Sequence, residues 1–165
     1  MNSAKDSANS APAASDPTIP PASEFDPGTC CEESVLALLR ERDLAPEIIR
    51  QIHRSASLMK SRRVRFAVAA HPRVPRRVAL QSIRELHTGD LARFALLPAA
   101  AADLKRFASE ILLARLPSMT LGERISLARR SPAIVAAALL LDKESQVRRA
   151  ARNNPRLPRT TIVNA

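Results

Sequence analysis

The chain has no tryptophan and no tyrosine, and only four phenylalanines and three glycines among its 165 residues. Sheets are built from β-branched and aromatic side chains, so this poverty argues against a β protein. Enzymes that handle a flipped base, and proteins that read single strands, stack bases on aromatic rings. Here Phe66, Phe94 and Phe107 sit in apolar helical patterns and read as core, which leaves little for such work. The only cysteines are the neighbours Cys30 and Cys31. They exclude a disulfide framework within the chain. No apolar run approaches the about eighteen residues of a membrane-spanning helix. The amino terminus lacks the apolar stretch of a secretory signal, so a cytoplasmic location is expected. There is no Gly-rich phosphate loop, no His-x-x-x-His pair and no Ser/His/Asp spacing, and His53, His71 and His87 are dispersed. The expectation is a non-enzymatic protein with no catalytic residues, no metal and no cofactor.

What is present is alanine, leucine, thirteen prolines and positive charge. Alanine and leucine are the strongest helix formers, and proline breaks or opens helices. The predicted fold class is all-α, with helices kept short by prolines. Residues 1–28 are Ser-, Ala- and Pro-rich with few large apolar groups, the composition of a disordered tail. Residues 29–165 form the expected α-helical domain. The formal net charge is +10. Residues 1–31 hold Lys5 against Asp6, Asp16, Glu24 and Asp26, a net of −3, so the remainder carries +13.

Helix signals follow in order. Thr29 and Glu32 have capping-box spacing ahead of Val35, Leu36, Leu38 and Leu39. Pro46 opens a second helix with Ile48, Ile49 and Ile52 on one face. A third runs from about Ser61 to Ala70, and Pro75 opens a fourth. Thr88-Gly89-Asp90 reads as a stop followed by a cap, ahead of a short helix at 91–97. The longest helix is predicted at 101–116 and is stopped by Pro117. Thr120 and Glu123 form another capping box for a helix that ends at Ser131-Pro132. Apolar residues from Ile134 to Leu141 surround the next helix on nearly every side, so it is expected to be the most buried. Asp142 is expected to cap a helix over 143–153, and Pro158 to open a last one.

Two of these stretches are copies of one another. Val64 to Arg76, VRFAVAAHPRVPR, and Val147 to Arg159, VRRAARNNPRLPR, share Val, Arg, Ala, Pro, Arg, Pro and Arg at matching positions. Taking Ala67, Ala95, Ala128 and Ala150 as equivalent gives spacings of 28, 33 and 22 residues. This is an uneven repeat, in the range where helical pairs stack. In each copy a proline stops one helix and another starts the next. Asn153 is expected to close the first helix in the left-handed conformation, and Leu157 to fill the groove between the two.

This pattern resembles the leucine-rich repeat variant family, whose repeats carry a V-R-x-x-x-A-x-N-P-x-L-P type of consensus. Residues 142–159 match it closely and 61–78 match well, while 36–52 and 90–141 match loosely. The resemblance implies a HEAT-like right-handed superhelix, an α-solenoid of about five short antiparallel helix pairs preceded by the tail. It brings no catalytic residues. One type of family member has an amino-terminal iron–sulfur segment, which draws attention to Cys30 and Cys31. A cubane cluster needs four cysteine ligands, so two adjacent ones would suffice only if shared across a dimer. Among HEAT-like proteins, alkylpurine DNA glycosylases have a basic concave face, but the aromatics for that chemistry are lacking.

Basic clustering is the strongest functional signal. From Arg50 to Arg77 there are nine Lys or Arg and no acid, and a second cluster spans Arg129 to Arg159. If repeats stack in register, Arg65, Arg73 and Arg76 share edges with Arg148, Arg156 and Arg159. Together with Arg62, Arg63, Arg149 and Arg152 they make the candidate binding stripe. Arg suits bidentate contact with carboxylate or phosphate. The expected partner is an acidic protein surface; the alternative is the phosphate backbone of a nucleic acid, and no membrane is expected. The same arginines could instead form a solvated face that caps helix carbonyls. The terminal Thr161, Ile162, Val163, Asn164 and Ala165 give the array no polar cap, so self-association through this end is expected.

Overall fold

Prolines partition the chain as their missing N–H and fixed φ require. Pro46 is the first residue of a helix, and Pro75 and Pro132 stand immediately before helices with extended ψ of 135° and 155°. The computed structural model describes residues 25–158. Among them are nine α-helices, two 3₁₀ turns and no strand. The helices are α1 Glu32–Leu38, α2 Pro46–Arg54, α3 Arg62–Ala70, α4 Arg76–Glu85, α5 Thr88–Ala95, α6 Ala102–Arg115, α7 Leu121–Arg130, α8 Ala133–Leu139 and α9 Ser145–Arg152. The 3₁₀ turns are Leu58–Lys60 and Leu116–Ser118. The expected last helix after Pro158, the apolar end at 161–165 and Arg159 lie outside the described residues. So does most of the expected tail.

Several local expectations hold. The helix expected from about Ser61 to Ala70 is α3, which the Ser61 hydroxyl caps by accepting from Val64 N at 3.4 Å. Thr120 and Glu123 form a complete capping box on α7, with Thr120 N donating to Glu123 Oε2 at 2.8 Å. The longest helix is α6, as expected.

Others are corrected. Cys31, not Thr29, precedes α1, because the Thr29 hydroxyl donates to the Asp26 carbonyl in a turn that also binds Gly28 N to Asp26 Oδ1. That turn brings Phe25, assigned by composition to the tail, into the core at 7% exposure. Thr88-Gly89-Asp90 is no stop but the first turn of α5, where a carboxylate is favoured by the helix dipole. Asp142 accepts from Glu144 N ahead of α9 without capping it. Asn153 closes α9 at φ −88° and ψ 6°, outside the left-handed region. The helix expected to be most buried, α8, buries Val135, Ala136 and Leu139 but leaves Ile134 56% exposed. Leu141, just beyond it, is 77% exposed. Its neighbours α6, α7 and α9 cover only part of it.

Odd-numbered helices touch in succession, α1 on α3, α3 on α5, α5 on α7 and α7 on α9. Even-numbered helices do the same, α2 on α4, α4 on α6 and α6 on α8. The two series meet through α3 with both α2 and α4, α5 with α6, and α8 with both α7 and α9. Long-range side-chain hydrogen bonds among the described residues all join positions 23 to 31 residues apart, from Asn154 to Ser131 at one limit to Arg115 and Arg84 at the other. Two apolar groups fill the interior. One gathers Phe25, Val35, Leu44, Ile48, Ile49, Ile52, Val64 and Val68, and a larger one runs from Ala69 to Leu157. They adjoin within α3, where Val68 and Ala69 belong to different groups.

Candidate functional site: an arginine-lined groove

The expected stripe of ten arginines divides by what each guanidinium already holds. Arg62 pairs with Asp90, Arg63 with Glu33 at 2.6 Å and Glu32 at 3.5 Å, and Arg76 with Asp103. The hydrogen bond from Arg76 draws the Asp103 carboxyl below the usual carboxylate range. Arg73 donates to the Asp43 carbonyl at 3.0 Å. Arg148 donates to the carbonyls of Asp142 and Lys143 at 2.7 and 2.9 Å. These five serve ion pairs or backbone carbonyls. Arg65, Arg149, Arg152 and Arg156 have no side-chain partner among the described residues. Arg159 lies outside the described residues.

The geometry assembles a groove of about 540 Å³ across α3, α5, α7 and the loop after α9. Arg62 comes from α3, Arg93 from α5, Arg130 from α7 and Arg156 from the loop. The floor is apolar, formed by Ala92, Leu96 and Leu127, of which Ala92 and Leu127 are buried. Two acids take part. Asp90, its side chain only 4% exposed, lies between Arg62 and Arg93, the latter 3.6 Å away. Glu123 accepts from both the backbone and the hydroxyl of Thr120, which lowers its carboxyl below the usual range. The Arg93 guanidinium also lies 4.6 Å from the Phe66 ring centroid, within cation–π reach.

The repeated motif sets one wall. Asn154 is buried, and its Nδ2 donates to the carbonyls of Ala128 and Ser131 at 2.8 and 3.1 Å. Its Oδ1 accepts from Arg156 N at 2.9 Å, which fixes the backbone that carries the Arg156 side chain. In the earlier copy His71 does the same. Its Nε2 donates to the Glu41 carbonyl at 2.9 Å and its Nδ1 accepts from Arg73 N at 3.1 Å. Both ring nitrogens of His71 are thus engaged with backbone groups.

Two groove arginines, Arg93 and Arg130, were not in the sequence-based set. A signal for Arg93 existed: it stands two residues before Ala95, as Arg65 stands before Ala67 and Arg148 before Ala150. Ser126, also in the groove, holds that position before Ala128.

A second cavity, of about 310 Å³, lies between the α3–α4 and α5–α6 loops and is lined by alanines, Val74, Phe94 and Leu104, with Arg76 and Asp103 also on its wall. Its one imidazole, His71, already uses both nitrogens. At the amino-terminal end Cys30 is half-buried and Cys31 exposed, both unbonded. The Ser34 hydroxyl, 3.1 Å from Cys31 Sγ, pulls that thiol down. Among the described residues no cluster of His, Cys, Asp and Glu could hold a metal ion, and no helix is long and apolar enough to cross a membrane. Comparison with protein-family models, with curated proteins and with solved structures finds no match to this chain.

Proposed function

We propose that this chain is a non-enzymatic α-helical repeat module, a right-handed solenoid of the leucine-rich repeat variant kind, that binds an acidic protein partner in the cytoplasm. The successive contacts within the odd and even helices support the stacked architecture. So does the confinement of long-range side-chain hydrogen bonds among the described residues to separations of 23 to 31 residues. One observation carries the binding role: four arginines, from α3, α5, α7 and the loop after α9, converge on one apolar-floored groove. Guanidinium forks there suit carboxylates.

The experiment is titration of the full chain with fluorescent polyglutamate and with generic duplex DNA over a salt series. Polyglutamate binding that weakens with salt supports the reading, and its absence at low salt defeats it. Tighter duplex binding with a steep salt dependence would put phosphate-backbone recognition in its place.

A further inference from the structure

The four groove arginines are not equivalent, and the difference specifies an occupant. Arg62 and Arg93 share Asp90, whose buried carboxylate offsets part of their charge. Arg130 and Arg156 are exposed and have no acid or carbonyl to serve among the described residues. Glu123 adds a fixed negative charge to the lining. A uniform polyanion laid along the groove meets Glu123 as well as the arginines. A peptide can place carboxylates only where they are wanted. The floor at Leu96 and Leu127 offers apolar contact that neither a phosphate backbone nor polyglutamate can use.

We infer that the groove is the docking cleft for an acidic peptide segment carrying an apolar anchor. The anchor side chain sits on Leu96 and Leu127, and flanking carboxylates meet Arg130 and Arg156. Asp90 is a positioning residue that holds Arg62 and Arg93 at the wall. A volume of about 540 Å³ accommodates an anchor and its neighbours, not a folded domain. This rests on the acidic-partner reading and narrows it to one place and one kind of segment.

The test is fluorescence anisotropy of the full chain with a short labelled peptide of Asp and Glu around a single central Leu. A matched peptide has Ser in place of that Leu. The Leu peptide is expected to bind about tenfold more tightly than the Ser peptide. The double variant Arg130→Ala/Arg156→Ala is expected to lose about tenfold or more in affinity for the Leu peptide. Arg77→Ala/Arg106→Ala, which removes equal charge from exposed positions on α4 and α6, is expected to bind like the parent. Peptide-dependent slowing of amide exchange in α5 and α7 reports the location without any substitution. Equal affinity for the two peptides overturns the anchor. Loss in the Arg77/Arg106 variant instead of the groove variant, or slowing of exchange elsewhere, overturns the location while leaving an acidic partner in place. Failure of both peptides to bind at low salt overturns this inference and the acidic-partner reading together.

Discussion

Asn154 and His71 occupy matching positions in the two motif copies and make the same pair of bonds with different chemistry. Each donates to a carbonyl 26 or 30 residues earlier and accepts from the amide two residues on. Both are buried, so removing the side chain leaves carbonyls and an amide without partners, at about 1–3 kcal/mol for a buried polar group. Asn154→Ala is expected to lower stability by about that amount in urea denaturation, and His71→Ala likewise. His71→Asn is expected to restore most of the loss, because an amide supplies the same donor and acceptor. If it destabilises as much as His71→Ala, the two joints are not equivalent. The arginines two residues on then diverge: Arg73 bonds the Asp43 carbonyl, while Arg156 reaches the groove. The repeat register predicted both positions but not this difference. Whether an arginine finds a carbonyl or an acid depends on the neighbouring helical pair, which a loosely matching repeat does not specify. Arg62 and Asp90 illustrate the point, since they meet only because α3 packs on α5.

Helix beginnings show how far local sequence decides an element. Thr120 and Thr29 both stand three residues before a glutamate, yet only Thr120 caps a helix. The Asp26 turn takes the Thr29 hydroxyl first. For Glu123 the bonds from Thr120 lower the folded-state carboxyl below its unfolded value. Its stabilising contribution is therefore complete above the unfolded value, and it is lost as pH falls through the lowered folded one. Glu123→Gln is expected to be less stable than the parent at neutral pH, with the gap closing at the acid end of the carboxylate range. Thermal melts across that range check this, and a pH-independent gap would mean that the box acts by shape alone. The α8 helix teaches the opposite lesson. Apolar residues all around it suggested full burial, but α6, α7 and α9 cover only the face of Val135, Ala136 and Leu139 and leave Ile134 outside. Ile134→Lys is expected to change stability by less than about 0.5 kcal/mol. Leu139→Ala, at 1% exposure, is expected to cost about 2–5 kcal/mol. Urea midpoints for the two separate a one-faced helix from a buried one.

Across the whole molecule, the all-helical class was legible because composition and proline spacing act locally. The groove was not legible, because it needs four elements to be stacked before its arginines converge. The same local character bears on cooperativity. The apolar interior is two groups that share only α3 and α4, Val78 of α4 packing on the first and Ile83 on the second, and no long-range side-chain hydrogen bond among the described residues exceeds 31 residues in separation. Where contacts are this local, opening at one end need not reach the other. Ile49 on α2 is fully buried in the amino-terminal group. Ile49→Ala removes core volume there, at a cost of about 2–5 kcal/mol. Native-state hydrogen exchange of this variant is expected to show faster opening in α1, α2 and the first turns of α3. The amides of α7 and α9, tied to each other by packing and by the Asn154 bonds to the end of α7, are expected to keep their protection. Uniform acceleration through all helices would mean that α3 and α4 couple the two groups into one unit. The groove would then inherit every defect of the amino-terminal end. If protection in α7 and α9 persists, the groove keeps three of its four walls in a chain whose first helices have opened.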